Sequence, residues 1–257
     1  MLELFREKAS FCIKLICLCA LILSAAPIPA AGGTASAAAV KTAQTGAEKT
    51  KRTGWVKIGK KTCYYNKKGI RLKNVIAGTK KSGYAYVDKN GIRVSDKRIK
   101  AAVRFVVKHT KLRGSRYAQL KKCYRALCTY SYYSVNHTPA SAGKIRTYAA
   151  YMFRTHMGDC CNYAASMAYI ARVLGYPARV AYGGVTAHAD WPLSDHSITY
   201  VKDDRTWKII DCSMGRAHTD ENCFMVKRSE YPFRLRVDTV YRMIIKNGTV
   251  KWKKKAG

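Results

Sequence analysis

The stretch HMGDCCNYAASMAYIARVL, residues 156–174, decides the fold. Gly158 and Asp159 interrupt whatever precedes them, and beyond Cys160 the apolar residues Ala164, Met167, Ala168, Ala171 and Leu174 recur at three- and four-residue spacing. That period predicts a helix with one buried face. Gly175, just past the helix end, stops it, and Pro177 keeps it from resuming. Cys160 therefore falls in the first turn, where unpaired backbone N–H groups and the helix dipole favour an anion, so its thiolate is expected to be stabilised. The same N–H groups are suited to hold an oxyanion.

A thiolate at a helix start needs a proton shuttle. Asp195-His196-Ser197-Ile198-Thr199-Tyr200-Val201 and Thr206-Trp207-Lys208-Ile209-Ile210-Asp211 both read as strands, with Asp203 and Asp204 marking the turn between them. In such a hairpin His196, at the start of one strand, and Asp211, at the end of the other, become neighbours. A Cys, then a His, then an Asp, carried by a helix and two strands, is a Cys-His-Asp triad arrangement.

With these residues in view, the chain resembles the transglutaminase-like superfamily, in its bacterial secreted, protease-like branch. The matching motifs are Gly158-Asp159-Cys160, then Gly175-Tyr176-Pro177-Ala178-Arg179-Val180, then His196, Trp207 and Asp211. The resemblance covers roughly Ser141 to Cys212. It implies Cys160 as nucleophile, His196 as general base and acid, and Asp211 as the group that orients the imidazole. Ile198 and Cys212 depart from the family pattern, which often has an aromatic residue two after the His and a Pro after the Asp.

Each site residue has a rival. Cys161 is the alternative nucleophile, but one step further along the helix it is expected to turn toward the core. His188 lies in the Gly183 to Asp195 loop, which holds an imidazole less firmly than a strand. Asp195 and Asp190 compete with Asp211, although a residue adjacent to His196 in a strand points to the opposite face. Asp211 is also placed to cap the segment that follows. His156 is expected on the rim.

The N-terminus carries Arg6, Lys8 and Lys14 ahead of an apolar run from Leu15 to Leu23, with small residues up to Ala39. Residues 1–39 thus read as a signal peptide, too short in their apolar part for a membrane span, and 40–53 as a solvated Ala/Thr/Lys linker. Removing the leader leaves seven of the ten cysteines, an odd number that guarantees an unpaired thiol in an exported monomer. Cys123 and Cys128, five apart in a helix, are not expected to pair, whereas Cys212 and Cys223 are spaced for a small disulfide loop. With no Cys-x-x-Cys pair and no acidic cluster, neither a metal nor a cofactor is expected.

Residues 54–95 alternate aromatic or apolar with polar residues, and Tyr64 to Leu72 recurs as Tyr86 to Val94, with Asn66/Asp88, Gly69/Gly91, Ile70/Ile92 and Arg71/Arg93 in step. This is a repeat of β-hairpins. The two units resemble the cell-wall-binding repeats of secreted Gram-positive proteins, which implies contact with wall glycans; the structural alternative is a spacer or cap on the following domain.

Residues 96–257 form the expected catalytic domain. Helices follow from Asp96 to His109, from Ser115 through Cys128, and near Ala142 to Arg154. Strands follow the fourth helix, and the chain closes on a hairpin turned at Asn247-Gly248. Helices followed by antiparallel strands give an α+β domain with a papain/transglutaminase-like core, helices packed on an antiparallel sheet, preceded by the short hairpins.

The chain carries 48 Lys and Arg against 15 Asp and Glu, a net charge of +33. Such a field concentrates anionic surfaces, teichoic acid among them. The cations are spread over all elements with no reading motif, so specific nucleic-acid recognition is not expected. The resulting expectation is a secreted or wall-associated cysteine peptidase or amidase acting on a peptide or protein substrate. The alternatives are a cross-linking acyltransferase and a non-catalytic surface-binding protein.

Overall fold

A short hairpin opens the structure because Gly59-Lys60 separates two alternating segments: β1 (Gly54–Ile58) and β2 (Lys61–Tyr65) pair antiparallel with Ile58 opposite Lys61. A second hairpin, β3 (Val75–Thr79) and β4 (Gly83–Val87), follows. The sequence repeat is repeated in hydrogen bonds. Asn66 Oδ1 accepts from Lys68 N and Ile70 N, and Asp88 Oδ1 accepts from Asn90 N and Ile92 N. Gly69 and Gly91 occupy the same turn position at φ of 77° and 72°, where any side chain would be strained. This computed structural model describes residues 51–134, 140–188 and 190–255. The expected leader and nearly all of the linker lie outside the described residues.

The hairpins are tied into the helical body. Tyr86 is fully buried, gives its hydroxyl proton to Asn74 Oδ1 at 2.5 Å and lies beneath the Arg172 guanidinium. Asn74 Nδ2 in turn donates to Gly175 O, and Asp88 Oδ2 accepts from Gly248 N. Ile76, Tyr86 and Val94 therefore belong to the same apolar core as the helices. Trp55 is spent in the same way, edge-on to Tyr64 and beneath Arg93.

Asp96 caps α1 (Lys97–His109) and Ser115 caps α2 (Arg116–Cys128), each accepting backbone N–H groups as the sequence requires. β5 (Ser131–Tyr132), α3 (Lys144–Thr155) and β6 (Met157–Gly158) lead into α4 (Cys160–Val173). Here the structure corrects the expectation of one buried face, because α4 is buried on nearly every side, from Cys160 through Ala171. The cause is its position: α1, α2 and α3 pack on it from outside, and the sheet covers the remaining side. Small residues at Ala164, Ala165, Ala168 and Ala171 permit that close approach.

The sheet is antiparallel throughout, in the order β10-β9-β8-β7-β11-β12. Its strands are β7 (Ala178–Thr186), β8 (Ser194–Asp203), β9 (Thr206–Ile210), β10 (Phe224–Val226), β11 (Arg234–Lys246) and β12 (Thr249–Lys254), with the short α5 (Cys212–Ala217) between β9 and β10. Side chains alternate between two cores. Val180 and Val201 face the helices, while Ala181, Ile198 and Ile209 face a second cluster with Val226, Tyr231 and Phe233. The helices-on-antiparallel-sheet fold preceded by hairpins is the one expected. Asp211, read as the end of a strand, instead caps α5. Among the described residues no helix is long and apolar enough to cross a membrane.

Tyr86→Ala should lower the unfolding free energy by about 3–5 kcal/mol, the cost of emptying an aromatic site in a core. Urea unfolding would read this as an earlier single transition of the whole chain. A change of less than about 1 kcal/mol would mean that the hairpins are not part of the core.

Candidate active site

Asp159 sets the start of α4. Its Oδ1 accepts from Cys161 N and Asn162 N, while Asn162 Oδ1 accepts from Asp159 N, a reciprocal capping box. Gly158 has no room for a side chain, since a Cβ there would lie 2.5 Å from the Asn162 Cβ. Asn162 is held from its other end by donating to Tyr148 O. The first turn, and Cys160 with it, is thereby fixed.

Cys160 lies against β8. Its Sγ is 4.0 Å from the Asp195 carbonyl oxygen and receives a hydrogen bond from the Ser197 N–H. β9 pairs with β8 only from Thr199 onward, so the Asp195–Ser197 stretch is left uncovered by β9 at the point where the sulfur approaches. His196 sits between those two contacts and is buried. Its side chain shares the Ile198 face of the strand, as period-two alternation demands, whereas Ser197 turns toward α4 and meets Cys161 Sγ at 3.2 Å.

The structure brings His196 and Asp211 together: Nε2 to Oδ2 is 2.6 Å, with both residues buried. Proton exchange therefore falls to Nδ1. Asp211 is fully engaged. Its Oδ2 also accepts the Tyr231 hydroxyl at 2.7 Å, and its Oδ1 accepts Ser213 N, Ser213 Oγ and Met214 N. Burial pushes the Asp211 carboxyl up, but His196 and these donors outweigh it and hold the pKa below its ordinary value. The acid thus caps α5 and binds the imidazole at once. Among the described residues no hydrogen bond joins Cys160 Sγ to His196.

Two expectations about the sulfurs change. Cys161 does not leave the site for the core. It is hydrogen bonded to Cys160 as well as to Ser197, so two thiols share the helix start. The thiolate at Cys160 is not favoured at rest either: the hydrogen bond with Cys161, burial, and the Asp159 charge raise its pKa well above the ordinary range, against the Ser197 N–H. The same sulfur–sulfur bond lowers Cys161, against its own burial. Asp159, Cys160 and Cys161 offer ligand atoms within 4.8 Å of one another, but the Asp159 carboxylate is committed to the helix cap.

The rival residues are accounted for. His188 stacks on the exposed Trp191 at 4.0 Å, and His156 ends α3 at a φ of 59° against the Tyr130 ring. Asp195 is exposed and contributes its carbonyl to Cys160. Cys212 and Cys223 are both thiols, as are Cys123 and Cys128, and Cys128 Sγ donates to Cys212 O at 3.4 Å. Sequence reasoning missed Tyr231, which follows Asp211 by twenty residues in a segment with no period, and Tyr132. The latter stands in the Tyr130 to Tyr133 aromatic run and reaches the site through a two-residue parallel pairing of β5 with β6. Its hydroxyl accepts from the Cys160 N–H.

Comparison with known proteins agrees with this geometry in the segment that carries it. Residues 103–212 match the model of the Transglutaminase-like superfamily core, so that the segment from α1 to the start of α5 is a transglutaminase-like superfamily domain. Two residues of the matched motifs, Arg179 and Trp207, stack at 3.6 Å. A search of curated proteins gives no match. Among solved structures, a candidate cysteine protease from Cytophaga hutchinsonii is similar at 17% identity and a TM-score of 0.34, over 63% of this chain. The chain spans 58% of the length of that protein.

Two outcomes test the electrostatics. Replacing Cys161 by Ala removes the first cause of the raised Cys160 pKa, so alkylation of Cys160, followed by mass spectrometry, should begin at lower pH than in the wild type. Because the folded Asp211 pKa is depressed, the stability it contributes is complete above the unfolded carboxylate value, about 3.9, and is lost as pH falls through the lower folded value. Tyr231→Phe removes a donor to that carboxylate. It should cost about 1.5–3 kcal/mol near neutral pH and move the acid loss of stability to higher pH in urea titrations.

Proposed function

We propose that this chain is a secreted cysteine hydrolase, a peptidase or amidase, that cleaves a peptide or protein amide at the cell surface through a thioester at Cys160. The observation that carries the reading is the buried 2.6 Å contact of His196 with Asp211, on the strand against which Cys160 is fixed. In this reaction His196 Nδ1 takes the Cys160 proton as substrate arrives, which overcomes the raised thiol pKa only when the thiolate is consumed. Sulfur attacks the carbonyl carbon, and the Cys160 N–H binds the oxygen as it becomes negative. Collapse breaks the C–N bond, and His196 returns its proton to the leaving amine. Water, deprotonated by the same imidazole, then releases the acid. Asp211 stabilises the imidazolium and fixes the tautomer.

Export rests on the leader pattern of residues 1–39, and the +33 charge favours retention on an anionic wall. The aromatic residues of the hairpins give no separate support to glycan binding, because Tyr86 and Trp55 are engaged in packing.

Release of amine from a peptide library, read with an amine-reactive dye, should be abolished in Cys160→Ala and His196→Ala. In Asp211→Asn it should fall by about 10⁴-fold while the protein stays folded. A fluorescent primary amine added to the assay decides the acceptor: its incorporation into substrate in place of hydrolysis would make the protein an acyltransferase. Undiminished cleavage by Cys160→Ala would end the proposal.

A further inference from the structure

Tyr132 has no role in the steps above, yet it is built into the start of the nucleophile helix. β5 pairs parallel with β6, with Tyr132 opposite Gly158, and the ladder is closed by Ser131 N to His156 O at 3.1 Å and Tyr133 N to Gly158 O at 3.0 Å. This fastens Tyr132 beside the segment that enters α4 two residues before Cys160. The ring is stacked on Tyr163 with centroids 6.3 Å apart and planes 12° from parallel. Tyr163 is itself buried and anchored by its hydroxyl to Tyr130 O at 2.5 Å, so the platform is rigid. Tyr132 remains 48% exposed, with one side on the platform and the other open to an arriving ligand. Its hydroxyl lies on the Cys160 N–H, the group that receives the oxyanion.

An oxyanion held by one backbone donor is underserved, since acyl-transfer sites gain from each further donor aimed at the oxygen. We propose that Tyr132 is a catalytic residue, its hydroxyl supplying with the Cys160 N–H the second hydrogen bond to the carbonyl oxygen of the scissile amide. The proposal rests on the cysteine-hydrolase reading. At rest the hydroxyl accepts from the Cys160 N–H. When substrate enters, the carbonyl oxygen takes over that N–H, and the Tyr132 O–H turns about its own C–O bond to donate to the same oxygen. No bond to Tyr132 forms or breaks, and the phenol keeps its proton throughout. Burial, aided by the neighbouring thiols and Asp159, pushes its pKa up to about 12, so it is a proton-bearing donor over the working range.

Two reactions of one sulfur separate this role from any effect on the thiol. Acylation of Cys160 by p-nitrophenyl acetate passes through a tetrahedral oxyanion; alkylation by iodoacetamide does not. In Tyr132→Phe, which keeps the ring on Tyr163, the p-nitrophenol burst should slow by on the order of 10²-fold with the alkylation rate unchanged. Tyr132→Gln restores a donor without the ring and should acylate faster than Tyr132→Phe. Unchanged acylation in both variants, or acylation and alkylation falling together, overturns the proposal while leaving Cys160 as nucleophile. A wild-type protein that is alkylated at Cys160 but never acylated overturns the hydrolase reading, and the role of Tyr132 with it.

Discussion

The capping box of Asp159 and Asn162 is the constraint on which the rest of the site depends. A helix buried along its length must satisfy its first N–H groups inside the protein, because water does not reach them. Asp159 does so with its side chain, and Asn162 closes the box and ties it to α3 through Tyr148. Once the first turn is fixed, Cys160 has one place to be, against β8 beside His196. The strand is placed in turn by β7 and by α4 itself, through Thr199 Oγ1 to Ala164 O at 2.8 Å.

The same economy governs the scarce acidic residues. With 15 carboxylates against 48 cations, surface pairing takes few of them. The fully or nearly buried ones, Asp88, Asp159 and Asp211, each accept several backbone N–H groups at a turn or helix start. Fixed N–H donors suit such positions better than lysines, because they neutralise a carboxylate without adding a flexible side chain. Asp211 goes further, binding imidazole and phenol as well, so the second core and the chemistry share one side chain.

Much of this was legible in the sequence because it is local. Asp96, Ser115 and the Gly175-Tyr176-Pro177 exit mark helix ends by chemistry that acts over four residues, and the Asp203-Asp204 turn brings His196 to Asp211 across a hairpin. The repeat of residues 64–72 at 86–94 was visible as identities and is realised in matching turns. What was hidden is non-local. The burial of α4 on every side depends on three helices assembled elsewhere in the chain, and its alanines read equally well as one face. Tyr132 and Tyr231 arrive through a two-residue bridge and an irregular segment, neither of which has a period. The raised Cys160 pKa was missed because a helix start argues for a thiolate, while a second buried sulfur at Cys161 argues against one, and the second is nearer.

The burial of α4 also decides from which direction the protein can be approached. A helix with no solvent-facing side offers nothing along its flanks, so a ligand meets it only end-on, at the turn that carries Cys160. Geometry near the sulfur is then insulated from the outer surface. Lysines and arginines on the periphery are free to drift in number and position as the surroundings of the protein change, while the one opening onto the thiol keeps its shape.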